Sequence, residues 1–110
     1  METSPTARGG PFWVQIDRDG EALVVRASGE LDLATVEMLR NPLLDAFEGD
    51  SASITLDLTE VGFIDSVGMQ ALLWAAARSD GDLFRIRCGS DSVRKLIELC
   101  GLEESLPLSV

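Results

Sequence analysis

The sequence predicts an α/β fold whose strands and helices follow one another in the order β-β-α-β-α-β-α. Three observations carry this. Asp19-Gly20 stands between two apolar runs, the signature of a β-hairpin. Beyond it, strand-like runs alternate with segments whose apolar residues recur every three or four positions. The segment Ile54-Thr-Leu-Asp-Leu-Thr-Glu-Val-Gly-Phe-Ile-Asp-Ser-Val-Gly-Met-Gln-Ala-Leu-Leu73 reads as a buried strand, a short loop and a helix. Crossovers through helices make strands parallel, whereas a tight hairpin makes them antiparallel. The expected architecture is therefore a single-domain sandwich, with a mixed sheet of four strands, or five, and helices packed on it.

The elements follow in order. Residues 12–17 form a first strand, Arg18-Asp19-Gly20 the turn, and residues 23–27 the second strand, which Ser28-Gly29-Glu30 closes. After Asp32, the spacing of Val36, Leu39, Leu43 and Phe47 predicts a helix. Pro42 lies inside it, where it removes a backbone donor and disfavours helical geometry at Asn41, so a kink or brief break is expected there. Residues 53–58 make a central strand, residues 66–79 a second helix ending near Gly81, and residues 83–87 an alternating fourth strand. Val93, Leu96, Ile97 and Cys100 mark one face of a third helix, capped by Ser90 or Asp91 and ended by Gly101. Residues 1–10 are polar and contain Gly and Pro, and read as a flexible tail ahead of a domain spanning 11–110.

The totals narrow the function. The 110 residues carry 19 acidic against 9 basic side chains, a formal charge of −10. Such a chain repels nucleic-acid phosphates and anionic lipid headgroups, so no nucleic-acid and no direct membrane binding is expected. Histidine is missing altogether, which removes the commonest general base and metal ligand. Cys88 and Cys100 are too few and too isolated for a disulfide framework or a zinc site and read as buried apolar side chains in a reducing cytoplasm. No apolar stretch approaches the roughly 20 residues that span a bilayer. No cofactor, metal or enzymatic activity is expected.

At about 100° per residue, the second helix divides into two arcs. Met69, Ala71, Leu72, Leu73, Ala75 and Ala76 form a buried face; Ser66, Val67, Gln70, Trp74, Ala77 and Arg78 form the other. The second arc is either an ordinary solvent face, with Trp74 at the edge of the core, or an interaction stripe, since tryptophan is enriched in binding hot spots. Ser66 begins it. Asp65 and Ser66 are both good capping residues, and a phosphate on Ser66 is well tolerated beside the free N–H groups of a helix start. Gly68 costs about 1 kcal/mol relative to alanine in a helix and asks for a reason such as close approach by another backbone.

Three blocks then resemble the anti-sigma-factor antagonist family, the STAS domains: Gly29-Glu-Leu-Asp-Leu-Ala-Thr35, Leu56-Asp-Leu-Thr-Glu-Val-Gly-Phe-Ile-Asp-Ser-Val-Gly68 and Val93-Arg-Lys-Leu-Ile-Glu-Leu-Cys-Gly-Leu102. The middle block is the specific one. The resemblance implies a cytoplasmic bacterial phosphoprotein that switches partners in a stress or sigma-factor pathway. Unphosphorylated, it would bind an anti-sigma factor that is also a GHKL-type serine kinase, and so free a sigma factor. Phosphorylation at Ser66, the position matching the family's acceptor, would release the kinase, and a PP2C-type phosphatase would reset the cycle. Asp32 matches a family position near the switch. With Asp65, Ser66, Val67, Gly68, Gln70 and Trp74 it makes the expected partner surface. Val67 stands where the family often has Ser or Thr, and Pro42 is unusual in the first helix.

The alternative within the family is a non-catalytic STAS subunit of a larger assembly, stressosome-like or lipid-transporting, without the switch. A response-regulator receiver built on Asp57 is disfavoured by the opening hairpin and by the placement of the sole lysine, Lys95, within a helix. Asp57, Glu60 and Asp65 as acid/base carboxylates lack a nucleophile–base pair and read more simply as cap and loop residues. No glycine-rich phosphate loop is present.

Overall fold

The computed structural model describes residues 12–79 and 83–109. Its elements are β1 (Trp13–Asp19), β2 (Ala22–Leu31), α1 (Val36–Glu48), β3 (Ser53–Ile64), α2 (Ser66–Arg78), β4 (Phe84–Arg87), α3 (Asp91–Leu99) and β5 (Leu108–Ser109). The tail expected over residues 1–10, and Gly81 as the end of the second helix, lie outside the described residues. The five strands form one sheet in the order β1-β2-β3-β4-β5. β1 and β2 are antiparallel and every later pair is parallel. This is the mixed α/β sheet that the order of elements predicts, and the fifth strand is real but only two residues long.

The hairpin turns at Gly20, whose φ of 64° suits the first central position of a tight two-residue turn. Along the sheet, side chains alternate between faces. Leu23, Val25, Ala27, Ile54, Leu56, Leu58, Phe84 and Ile86 point into one core, completed by Leu39 and Leu43 of α1, Leu72 and Ala75 of α2 and Val93 and Ile97 of α3. The opposite face carries charge. Arg26 of β2 bridges Asp17 of β1 at 3.0 Å and Asp57 of β3 at 3.6 Å, and Arg87 of β4 reaches Asp57 at 3.6 Å.

Three expectations need correction. Both β2 and β3 run well past their expected ends, to Leu31 and Ile64. The stretch after Leu58 is therefore strand, not loop. Two register shifts give β3 an extra residue each time it passes β2, so its buried positions Leu58, Val61 and Ile64 fall three apart and escape a period-two reading. Helix α1 continues through Pro42 without a break, although the proline removes one backbone donor; its half-buried ring lines an open pocket together with Ile16 and Leu23. Cys100 is exposed at the end of α3, whereas Cys88 is buried as expected, and burial raises its thiol pKa.

Candidate functional site

The overhang of β2 and β3 beyond β4 determines where α2 begins. Leu31 and Ile64 are register partners, and the Asp65 N–H donates to the Leu31 carbonyl at 3.2 Å. Asp65 is the N-cap of α2: its Oδ1 accepts from the Gly68 N–H at 2.9 Å and its carbonyl from the Met69 N–H at 2.9 Å. That assigns the capping role to Asp65 alone. Ser66 is the first helical residue and is exposed. The Ser66 and Val67 N–H groups lack intrahelical acceptors by helix geometry, and they give this end partial positive character.

Gly68 has the structural reason its position in a helix demands. A Cβ there would lie 2.6 Å from the Leu31 carbonyl oxygen and 2.9 Å from Ile64 Cγ2. Only glycine lets the first turn of α2 sit against the end of β2. The turn between β2 and α1 is thereby tied to the start of α2.

That turn is itself tightly organised. Thr35, 4% exposed, donates through Oγ1 to the Glu30 carbonyl at 2.7 Å and accepts from the Asp32 N–H at 3.0 Å. Asp32 Oδ1 accepts from the Ala34 N–H at 3.0 Å, and the Asp32 carbonyl accepts from the Val36 N–H at 2.8 Å. Asp32 therefore shapes the turn through its own side chain, and Thr35 holds the turn to β2.

Of the residues expected at the surface, Asp32, Asp65, Ser66, Val67, Gly68 and Gln70 come together at this end. Ser66 and Gln70 are exposed, Asp32, Asp65 and Val67 half-buried, and Gly68 buried. Trp74 lies one turn beyond Gln70, and two beyond Ser66, on the same line of α2. It is half-buried, 6.3 Å from the Phe47 ring, with the Arg40 guanidinium 5.6 Å from its centroid. Its contacts match an edge-of-core residue that borders the stripe.

Leu33 and Phe63 were missed. Leu33 is 74% exposed in the β2–α1 turn, and Phe63 is 48% exposed beside Ile64, opposite Glu30. Sequence pattern gave no signal for them, because an apolar residue in an irregular strand or turn reads as core.

Asp57, Glu60 and Asp65 do not form an acid/base group. Asp57 is 4% exposed in the middle of β3, neither cap nor loop, and Thr59 donates to it through both its hydroxyl, at 2.7 Å, and its N–H, at 2.9 Å. Burial pushes its carboxyl pKa up, but the two Thr59 hydrogen bonds and the charges of Arg87 and Arg26 outweigh that and hold it below 3.8. No group of His, Cys, Asp and Glu suited to a metal occurs among the described residues. A cavity of about 100 Å³ lined by Phe47, Arg78 and Phe84 lies toward the opposite end of α2. No described helix is long and apolar enough to cross a membrane.

Comparisons with known proteins agree with this fold. A family profile described as "Mlab, STAS domain" matches residues 14–108. An anti-sigma factor antagonist from Mycobacterium paratuberculosis is 24% identical over 88% of this chain and 84% of its own, with a TM-score of 0.80. The anti-sigma factor antagonist SpoIIAA in its unphosphorylated form is 25% identical over 88% of both chains, with a TM-score of 0.67. The Bacillus cell fate determinant SpoIIAA in its phosphorylated form is 25% identical over 88% of this chain and 91% of its own, with a TM-score of 0.63.

Proposed function

The chain belongs to the STAS domain family and is similar to solved anti-sigma factor antagonists, and from that premise we propose that it is a partner-switching antagonist controlled at Ser66. The observation that carries the proposal is the division of labour at the start of α2. Asp65 caps the helix and Gly68 anchors it, while Ser66 stays exposed and is free of the capping role. A phosphate there leaves the fold's own hydrogen bonds untouched.

In this cycle the unphosphorylated chain binds a bacterial anti-sigma factor that is also a GHKL-type serine kinase, and a sigma factor is released. The kinase phosphorylates Ser66. The added charge of about −1.5 to −2 sits comfortably beside the helix start but is costly in a desolvated interface, so the partner leaves. A PP2C-type phosphatase restores the hydroxyl. Asp32, Asp65, Val67 and Gln70 frame the contact, and Trp74 borders it. The chain acts in the cytoplasm by binding and performs no catalysis of its own.

A second reading is a non-catalytic subunit of a larger assembly, stressosome-like or lipid-transporting, in which Ser66 is not switched. Its support is that the matching profile carries the description "Mlab" and not an antagonist's. Affinity capture from the source cell's lysate with wild-type, Ser66→Ala and Ser66→Asp baits separates the two. Recovery of a GHKL-type kinase by wild type and Ser66→Ala, but not Ser66→Asp, is the expected result. Equal recovery of one multisubunit partner by all three baits would favour the second reading.

A further inference from the structure

We propose that Leu33 and Phe63 are the apolar anchors of the Ser66 surface and that they seat in an apolar depression edged by lysine or arginine on the partner kinase. This rests on the partner-switching reading and adds to it which side chains hold the partner. Leu33 is 74% exposed two residues past the fully buried Leu31, and Phe63 is 48% exposed next to the fully buried Ile64; the other large apolar residues of comparable exposure, Ile16, Leu83 and Leu99, stand on β1, ahead of β4 and at the end of α3. Their backbones are fixed. The Thr35 and Asp32 hydrogen bonds pin the turn that carries Leu33, and pairing of Glu30 with Phe63 pins the strand end. Anchors held in place before binding lose little conformational freedom when they are buried, which favours affinity.

Both lie at the end of the molecule that carries Ser66. The Leu31–Ile64 pairing and the Asp65-to-Leu31 hydrogen bond join the turn, the strand end and the helix start into one surface. The charge of that surface is one-sided. Residues 28–35 and 58–70 contain Glu30, Asp32, Glu60 and Asp65 and not one lysine or arginine. Glu30 and Glu60 are exposed, close to the anchors in sequence. A partner that covers apolar anchors within an acidic fringe requires a basic rim to match it. Phosphate on Ser66 brings its hydration shell beside the anchors, so seating them requires stripping water from it.

The probes are the GHKL-type serine kinases encoded in the source genome, each purified and titrated against immobilised wild type, Ser66→Asp, Leu33→Ser/Phe63→Ser and Glu30→Lys/Glu60→Lys. Leu99→Ser, a change at a 78% exposed leucine at the far end of α3, is the matched control. The double apolar variant is expected to lose about 100-fold or more in affinity, mostly through faster dissociation. The charge-reversed variant is expected to associate about tenfold more slowly and to lose the salt dependence of the wild type. The control should bind like wild type. Wild-type binding that Ser66→Asp abolishes, with Leu33→Ser/Phe63→Ser unaffected, would overturn the anchors and leave the switch standing. Binding unchanged in Glu30→Lys/Glu60→Lys would overturn the basic rim. A wild type that binds none of the kinases would overturn the switch reading and this inference together. Thermal melts of each variant confirm that the exposed substitutions leave the fold intact.

Discussion

The two halves of β3 are built for different purposes. Residues 54–57 lie between β2 and β4 and pair with both, whereas residues 60–64 pair with β2 alone. In the first half, buried and less buried positions alternate regularly until Asp57, which closes a charged ladder on the open face of the sheet. In the second half, two register shifts break the alternation, and Thr59, Glu60, Gly62 and Phe63 are exposed. The doubly paired half supplies stability. The overhanging half presents Phe63 and leads directly into Asp65 and Ser66. A strand can thus anchor a fold at one end and carry the proposed switch surface at the other, where it pairs with β2 alone.

Substitutions test that contrast in descending order of effect. Leu56→Ala, at a fully buried position of the doubly paired half, should cost about 2–5 kcal/mol of stability in chemical denaturation. A loss well under 1 kcal/mol would mean that the central half is not the keystone. Gly68→Ala is the exception expected in the overhanging region. Its new Cβ meets the Leu31 carbonyl at 2.6 Å, so the start of α2 must move away from β2, at a cost of about 1–3 kcal/mol. Amide exchange should quicken at Asp65, whose N–H bonds to Leu31; unaltered protection there would contradict the account.

Asp57→Asn should cost about 1–2 kcal/mol near neutral pH, because the charge-assisted bonds from Thr59 and the ion pairs weaken. Its pH dependence is more telling. A carboxyl held below 3.8 in the folded protein contributes its stability above that pH and loses it as pH falls through the folded value. Wild-type stability should therefore drop below about pH 4, and Asp57→Asn should drop less steeply over the same acid range. Identical acid limbs in a denaturant series at several pH values would rule this out. Ser66→Ala and Ser66→Asp should have the smallest effect, within about 0.5 kcal/mol of wild type, since the cap belongs to Asp65. A large loss of melting temperature in Ser66→Asp would show that the switch disturbs the fold.

Legibility in the sequence follows the same division. The Asp19-Gly20 turn, the regular strand around Leu56 and the helix faces repeat with periods that betray them, and the middle block marked Ser66 by resemblance. The outer half of β3 was hidden because its register shifts space Leu58, Val61 and Ile64 by three, which matches neither strand nor helix alternation. The closeness of Gly68 to Leu31 was anticipated only as a need for some backbone contact; which backbone it is depends on tertiary folding. Leu33 and Phe63 were invisible for a related reason. Composition records that a residue is apolar, and only the folded chain shows that it faces outward. Pro42 shows the reverse case, a local signal for a kink or brief break in a helix that runs on through it.

The central claim is that Ser66, and no other hydroxyl, is the switched group. Its most direct test is to incubate the purified chain with the kinase it binds and ATP, then locate the phosphate by fragment mass spectrometry. The account predicts a single phosphate on Ser66, none on Ser66→Ala, and release of the kinase from the phosphorylated chain. Phosphate on Ser79, Ser90 or Ser92, or a kinase that stays bound to chain phosphorylated at Ser66, would contradict it.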